Sequence, residues 1–133
     1  MLMPTISRYM SRQPWTTSCD ATLDAAKELM LGHGIRHLPV LEGGKLVGVV
    51  SHRDILRLER LRHLERHFNV GDAMTSEVYA VDVDRPVDEV AETMAEHKYG
   101  SAVVMNAKNE VLGVFTTTDA MQVLADVLRR ATA

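Results

Sequence analysis

The sequence contains a single cysteine, Cys19, among 133 residues, so an internal disulfide is excluded. Its longest apolar runs fall short of the roughly 18 residues that a membrane-spanning helix needs, which argues against a membrane protein. The first residues lack a basic stretch followed by an apolar block, so no signal peptide is predicted. These absences favour a soluble protein in a reducing cytoplasm.

Positive charge is not in excess either. Lys and Arg number 15 against 18 acidic residues, which gives a formal net charge of −3. A general nucleic-acid-binding protein needs a basic face, so nucleic acid is not an expected partner. With 46% hydrophobic and 25% charged residues, the composition is that of a globular domain rather than of a disordered chain.

Catalytic and metal-binding signatures are also missing from the sequence. It has no nucleophile elbow, no Walker loop and no cluster of metal ligands with a recognised spacing. His63 and His67 are four residues apart, but the arginines around them disfavour a bound cation. We therefore expect no enzymatic activity, no metal site and no required cofactor.

What the sequence does contain is one internal duplication. The segment from about residue 6 to residue 59 recurs from about residue 70 to residue 125. A duplicated unit too small to bury a core of its own usually pairs with its copy. We therefore divide the chain into repeat 1, residues 1–69, and repeat 2, residues 70–133, and expect the two to form one module with pseudo-twofold packing.

Hydrophobic periodicity and turn residues predict the same order of elements in both repeats, βαββα after a helical lead-in. Repeat 1 is predicted to contain a lead-in at 6–10, an extended stretch at 15–18, a helix after Asp20, strands at 38–41 and 46–50, and a helix from near Asp54 toward Phe68. Repeat 2 is predicted to contain the equivalents at 70–74, 78–81, after Asp84, at 102–105, at 111–115 and from near Asp119. Gly32 and Gly34 are predicted to end the first of these helices, and Pro86 to lie in the first turn of its counterpart. Because proline cannot donate to a strand ladder, Pro39 predicts an edge strand or a functional site.

Each repeat closes on a common motif of glycine, two hydrophobic residues, a hydroxyl residue, two variable residues and aspartate. The two copies are Gly48-Val49-Val50-Ser51-His52-Arg53-Asp54 and Gly113-Val114-Phe115-Thr116-Thr117-Thr118-Asp119. With Met10-Ser11, Met74-Thr75 and His37-Leu38-Pro39-Val40, this doubled order resembles a pair of cystathionine-β-synthase (CBS) domains, also called a Bateman module. The resemblance covers nearly the whole chain. It implies an α+β fold of α/β type, in which tandem βαββα CBS repeats pack with pseudo-twofold symmetry.

The serine or threonine and the aspartate of this motif have two readings. Their spacing is that of a helix capping box, in which hydroxyl and carboxylate satisfy backbone N–H groups at the helix start. The same helix end, with free N–H groups and the positive end of the dipole, suits a phosphate. The resemblance implies that Asp54 and Asp119 hold a ribose, while Ser51 and Thr116 contact phosphate. The two roles are not exclusive.

The resemblance also implies which segments border an adenine. These are Ile35, Arg36 and His37 in repeat 1, and Tyr99, Gly100 and Ser101 in repeat 2. An ordinary helix-to-strand turn is the alternative for both segments. Arg36 and His37 are bulkier and more polar than the small residues usual at this position.

A cation at a helix start opposes the dipole unless an anion faces it. Arg53 is such a cation, and Thr118 is its neutral counterpart in repeat 2. The alternative for Arg53, and for the other charged candidates, is that solvent alone surrounds the charge. The remaining candidate phosphate contacts are His33, His52, His97 and Lys98.

The sequence thus predicts a regulatory, metabolite-sensing protein that binds an adenine nucleotide. AMP, ADP or ATP are the expected ligands, and S-adenosylmethionine or NAD are alternatives. The competing hypothesis is a ligand-free dimeric scaffold that docks a regulated partner protein.

A homodimer is predicted because the closing helices carry more apolar residues than one small core covers. The residues concerned are Leu56, Leu58, Leu61 and Leu64 in repeat 1, and Met121, Val123, Leu124, Val127 and Leu128 in repeat 2.

Overall fold

The computed structural model describes residues 2–12, 15–61 and 67–132. His63 and Leu64 lie outside the described residues. The chain divides into two compact units. The continuous unit is Trp15–Val78, and the discontinuous unit joins the residues before Trp15 to those from Tyr79 onward. None of the helices in the described part of the chain is long and apolar enough to cross a bilayer.

The units exchange the lead-in segments of the repeats. The residues before Trp15 pack with the body of repeat 2, and residues 70–78 pack with the body of repeat 1. Ile6 is fully buried in the core of the discontinuous unit, and Val70 in that of the continuous unit. The predicted division into residues 1–69 and 70–133 refers to the sequence repeats, not to these compact units, and stays a prediction.

The secondary structure confirms the predicted α+β fold. In chain order the elements are a 3₁₀ helix (Ile6–Arg8), β1 (Ser11–Arg12), β2 (Thr17–Ser18), α1 (Leu23–His33), β3 (His37–Glu42), β4 (Lys45–Ser51), α2 (His52–Glu59), α3 (Val70–Ala73), β5 (Ala80–Asp82), α4 (Val87–His97), β6 (Ser101–Met105), β7 (Val111–Thr116) and α5 (Thr117–Thr132).

In the continuous unit the sheet has the order β2-β3-β4, with β2 parallel and β4 antiparallel to β3. Gly43 and Gly44 form the tight turn of the β3–β4 hairpin with φ of 57° and 80°, a conformation that glycine adopts without strain. The core packs helix α1 and the start of α2 against the strands. It comprises Leu23, Ala26, Met30, Leu38, Val40, Val50, Ile55 and Val70.

In the discontinuous unit the sheet order is β1-β7-β6-β5. The N-terminal segment is fastened to the start of α4, since the Ile6 N–H donates to Arg85 O (2.7 Å) and the Val87 N–H donates to Pro4 O (2.9 Å). The core comprises Ile6, Met10, Val81, Val87, Val90, Met94, Ala102, Val104 and Phe115. The N-terminal residues are thus part of this unit's core.

The edge-strand prediction for Pro39 is wrong, because β3 lies between β2 and β4. Pro39 pairs with Val49 of β4, whose N–H and C=O both bond to Thr75 (3.0 and 2.8 Å). Pro39 and Val49 therefore exchange no ladder hydrogen bonds, and pairing with β2 begins only at Val40. A proline fits this central position because the missing N–H breaks no bond to β4.

Two helix boundaries also differ from prediction. Helix α2 ends at Glu59, whereas the sequence pattern extended it toward Phe68, which lies outside any helix. Leu58 still packs against the core, whereas Leu61 is 39% exposed, so the burial that stabilises a short helix falls off after Leu58. Pro86 is the N-cap of α4 rather than a first-turn residue. Gly34 ends α1 as predicted, whereas Gly32 lies within the helix.

Candidate functional site

Ser51 and Asp54 form the predicted capping box at the start of α2. The Ser51 hydroxyl accepts the Asp54 N–H (3.1 Å), and Asp54 Oδ2 accepts the Ser51 N–H (3.1 Å). The box forms here because Ser51 is both the last residue of β4, with an extended backbone, and the N-cap of α2. It holds a half-buried carboxylate at the helix N-terminus.

Thr116 and Asp119 repeat this arrangement at the start of α5. Asp119 Oδ2 accepts the Thr116 N–H (2.9 Å) and the Thr116 hydroxyl (3.2 Å), and the Asp119 N–H donates to Thr116 Oγ1 (3.4 Å). Two of the bonds that Asp119 accepts have no counterpart at Asp54 among the described residues: the one from the Thr116 hydroxyl, and one that the Ser11 hydroxyl donates to Asp119 Oδ1 at 2.9 Å. The two carboxylates therefore differ in how much of their hydrogen-bonding capacity is used.

The strands of each hairpin bring the predicted adenine segments beside these helix starts. The His52 N–H donates to Arg36 O (2.8 Å), and His37 pairs with Ser51. We call the residues gathered here the Asp54 set: Ile35, Arg36, His37, Ser51, His52, Arg53 and Asp54.

The other unit gathers the equivalent residues in the same way. The Thr117 N–H donates to Gly100 O (3.2 Å), and Ser101 pairs with Thr116. We call these residues the Asp119 set: Tyr99, Gly100, Ser101, Thr116, Thr117, Thr118 and Asp119. Each predicted group is thus assembled within one unit.

The candidate cations Arg53, at the start of α2, and Lys98, at the end of α4, are not paired within the described part of the chain. Arg53 and Lys98 are exposed, and neither side chain forms an ion pair or hydrogen bond with any described residue. Within the described part of the chain, no group of three or more His, Cys, Asp or Glu residues could hold a metal ion. The phosphate contacts proposed for Arg53 and Lys98 stay predictions.

Comparison with known proteins decides the family. The model of the CBS domain matches the chain twice, at residues 6–60 and 70–126. The chain belongs to the CBS domain family. These matches confirm the resemblance drawn from the doubled motifs.

Solved structures share the fold of this CBS pair over nearly its whole length. A Vibrio cholerae protein assigned to acetoin utilization (AcuB) is 32% identical, with a TM-score of 0.79 over 96% of this chain and 95% of its own. The CBS domain pair of MJ0100, crystallised with 5′-methylthioadenosine and S-adenosyl-L-methionine, is 25% identical, with a TM-score of 0.84 over 94% and 98%.

Curated relatives include much longer enzymes. An L-aspartate semialdehyde sulfurtransferase of Methanocaldococcus jannaschii is 29% identical over 86% of this chain. The CBS pair spans only 22% of the length of that enzyme, and likewise 22% of an inosine-5′-monophosphate dehydrogenase of Korarchaeum cryptofilum.

Lys98 has an unusual backbone conformation for a residue with a side chain. It is the C-cap of α4 with φ of 58°, the left-handed region, where its counterpart in α1 is Gly34 with φ of 64°. The left-handed conformation costs a residue with a Cβ roughly 1–2 kcal/mol. Strained positions of this kind cluster at functional sites, which makes Lys98 a stronger candidate than its sequence position alone indicated.

Two of the predicted histidines, His33 and His97, contact aromatic rings, which sequence reasoning missed. The His33 ring stacks on Trp15 with centroids 3.7 Å apart and planes 15° from parallel. In the other unit His97 meets Tyr99 edge-on at 5.1 Å, and Tyr99 lies 5.4 Å from Tyr79. The sequence did hold one indication of these contacts: Trp15 and His33 have the same separation in repeat 1 as Tyr79 and His97 in repeat 2.

Proposed function

We propose that this CBS pair binds an adenine nucleotide and acts as a regulatory sensor without catalysis of its own. The observation that carries the proposal is the half-buried Asp54 carboxylate at the N-terminus of α2. Its Oδ2 completes the capping box, whereas Oδ1 receives no hydrogen bond from the residues that the structure describes. An ionised carboxylate accepts at about four positions, so Asp54 retains room for the hydroxyls of a ribose.

The proposed roles follow the two sets. Asp54 and Asp119 bind the ribose hydroxyls, while the hydroxyl residues and cations at the helix starts bind phosphate. The adenine lies beside the residues that enter β3 and β6. Further phosphate contacts are proposed for His33, His52, His97 and Lys98.

The ligands of a similar protein support an adenosine-containing ligand. The CBS pair of MJ0100 was crystallised with 5′-methylthioadenosine and S-adenosyl-L-methionine, which share the adenosine group. We propose AMP, ADP or ATP as ligands of this chain, because the candidate cations Arg53 and Lys98 suit phosphate. S-Adenosylmethionine and NAD are the alternatives. The activities of the longer enzymes that match this chain are not proposed for it.

Thermal unfolding in the presence of ligand tests the proposal. An adenine nucleotide at about 100 times its dissociation constant should stabilise the folded state by about 2.7 kcal/mol. Millimolar AMP, ADP, ATP, S-adenosylmethionine and NAD would each be compared with GMP and with inorganic phosphate, which lack the adenine or the nucleoside. Unchanged melting curves with every adenine compound would contradict the proposal and favour the scaffold hypothesis.

We also propose that the chain forms a homodimer through α5. Four apolar residues of this helix are largely exposed: Met121 (62%), Leu124 (46%), Val127 (54%) and Leu128 (55%). Their spacing of three and four residues places them on one face, which an isologous interface would cover. In repeat 1, Leu56 and Leu61 are 40% and 39% exposed. Leu58 and Val123, also predicted at the interface, pack instead against their own cores.

Light scattering measures this assembly directly. At tens of micromolar the mass should be twice the 14.8 kDa of the chain. Met121→Glu together with Leu124→Glu should return the protein to the monomer mass. A monomer in the unmodified protein would contradict the dimer and leave the α5 face for a partner protein.

A further inference from the structure

We propose that the Ser11 hydroxyl competes with ligand for Asp119, so that the Asp54 set binds an adenine nucleotide more tightly than the Asp119 set. This inference rests on the proposed function and assigns different affinities to its two sites. It makes Ser11 a residue that sets ligand affinity without belonging to either set.

The position of Ser11 is fixed by strand pairing. Strand β1 is antiparallel to β7, with Ser11 opposite Val114 and Arg12 opposite Gly113. Gly113 allows this approach, because a Cβ at that position would collide with the Ser11 carbonyl oxygen. The backbone thereby carries the Ser11 hydroxyl to the start of α5, where it donates to Asp119 Oδ1 at 2.9 Å.

The equivalent residue in the continuous unit, Thr75, makes no such contact. Thr75 pairs with Val49 as Ser11 pairs with Val114, and it exchanges two backbone hydrogen bonds (3.0 and 2.8 Å). Its hydroxyl forms no hydrogen bond with the part of the chain that the structure describes, and Asp54 Oδ1 is unoccupied by those same residues. The two units share a backbone arrangement but differ at the carboxylate.

The two carboxylates differ in how many acceptor positions remain for a ligand, and we expect ligand affinity to differ accordingly. Asp119 already accepts three hydrogen bonds, from the Thr116 N–H, the Thr116 hydroxyl and the Ser11 hydroxyl. Among the residues that the structure describes, Asp54 accepts one, from the Ser51 N–H. Since a carboxylate offers about four acceptor positions, a ribose diol that donates twice fits Asp54 without displacement. At Asp119 the diol must first displace a bond, most simply that of the exposed Ser11 hydroxyl.

Single-site proteins isolate the two affinities. Asp54→Ala retains the Asp119 set, and Asp119→Ala retains the Asp54 set. Calorimetry with AMP should show tighter binding to the Asp119→Ala protein. Asp54→Asn and Asp119→Asn serve as second variants, because asparagine keeps an acceptor for the helix cap.

Removal of the Ser11 hydroxyl tests the competition directly. Ser11→Ala in the Asp54→Ala protein should tighten AMP binding by about twofold to tenfold, because the exposed Ser11 hydroxyl regains from water part of the bond that it gives up at Asp119. Thr75→Ala in the Asp119→Ala protein is the matched control and should change AMP affinity by less than about twofold.

The outcomes separate this inference from the proposed function. If the unmodified protein binds AMP while Ser11→Ala leaves the Asp119 set unchanged, the competition is disproved and the proposed function stands. Weaker binding after Ser11→Ala would also overturn it, because the hydroxyl would then contact the ligand. If the unmodified protein binds no adenine nucleotide at all, the proposed function fails and this inference fails with it.

Discussion

Replacing Gly113 by alanine should lower the free energy of unfolding by about 1–3 kcal/mol, the usual cost of forcing extra volume into a packed position. An alanine Cβ would overlap the Ser11 carbonyl oxygen and lie 3.2 Å from the Ser11 carbonyl carbon and 3.3 Å from the Arg12 Cα. All three are backbone atoms of β1, so relief requires β1 to move away from β7. Urea unfolding followed by circular dichroism measures the loss.

Gly48→Ala is the matched control at the equivalent position. The nearest atom to its Cβ would be Met74 Sδ at 2.5 Å, with the Thr75 carbonyl oxygen at 3.0 Å. A methionine side chain can rotate away at little cost, whereas a paired backbone cannot. We therefore expect the smaller destabilisation at Gly48. Equal losses, or a larger loss at Gly48, would show that the approach of β1 is not what constrains Gly113.

Asp54→Ala should weaken AMP binding at the Asp54 set by about tenfold or more. The reason is the loss of charge-assisted hydrogen bonds to the ribose, each worth roughly 1.5–3 kcal/mol. The same substitution removes one side of a capping box, which costs about 1 kcal/mol of stability. Measurement of AMP affinity in the Asp119→Ala background, together with the free energy of unfolding, distinguishes the two effects.

Asp72→Ala is the control for a pure capping role. Asp72 Oδ2 accepts the Asn69 N–H (2.8 Å) at the start of α3, in the same unit but outside the Asp54 set. Its loss should lower stability and leave AMP affinity unchanged. If Asp54→Ala behaves in the same way as Asp72→Ala, the carboxylate is a helix cap alone.

Features that depend on near neighbours in sequence were predicted correctly. The β3–β4 turn needs only the backbone freedom of Gly43 and Gly44, and the capping boxes need only a three-residue spacing. The duplication added weight, because each weak local signal occurred twice in the same order. The helices and the hairpins followed from these local patterns, whereas the binding roles of the site residues stay predictions.

Features that depend on strand pairing between distant segments were missed. The central position of Pro39 follows from β2 pairing beside it, and the exchange of lead-in segments follows from contacts between residues far apart in sequence. The bond from Ser11 to Asp119 joins residues 108 positions apart. In the sequence, Ser11 is simply a serine that precedes Trp15. Only the register of β1 on β7 shows that its partner is Asp119.

The stack of His33 on Trp15 has a further consequence for spectroscopy. Trp15 is the only tryptophan of the chain, so selectively excited fluorescence originates entirely from the continuous unit. A ring stacked at 3.7 Å makes that emission responsive to any local displacement of the end of α1. The protein therefore carries an intrinsic optical label for the continuous unit, while its three tyrosines, Tyr9, Tyr79 and Tyr99, all lie in the discontinuous unit.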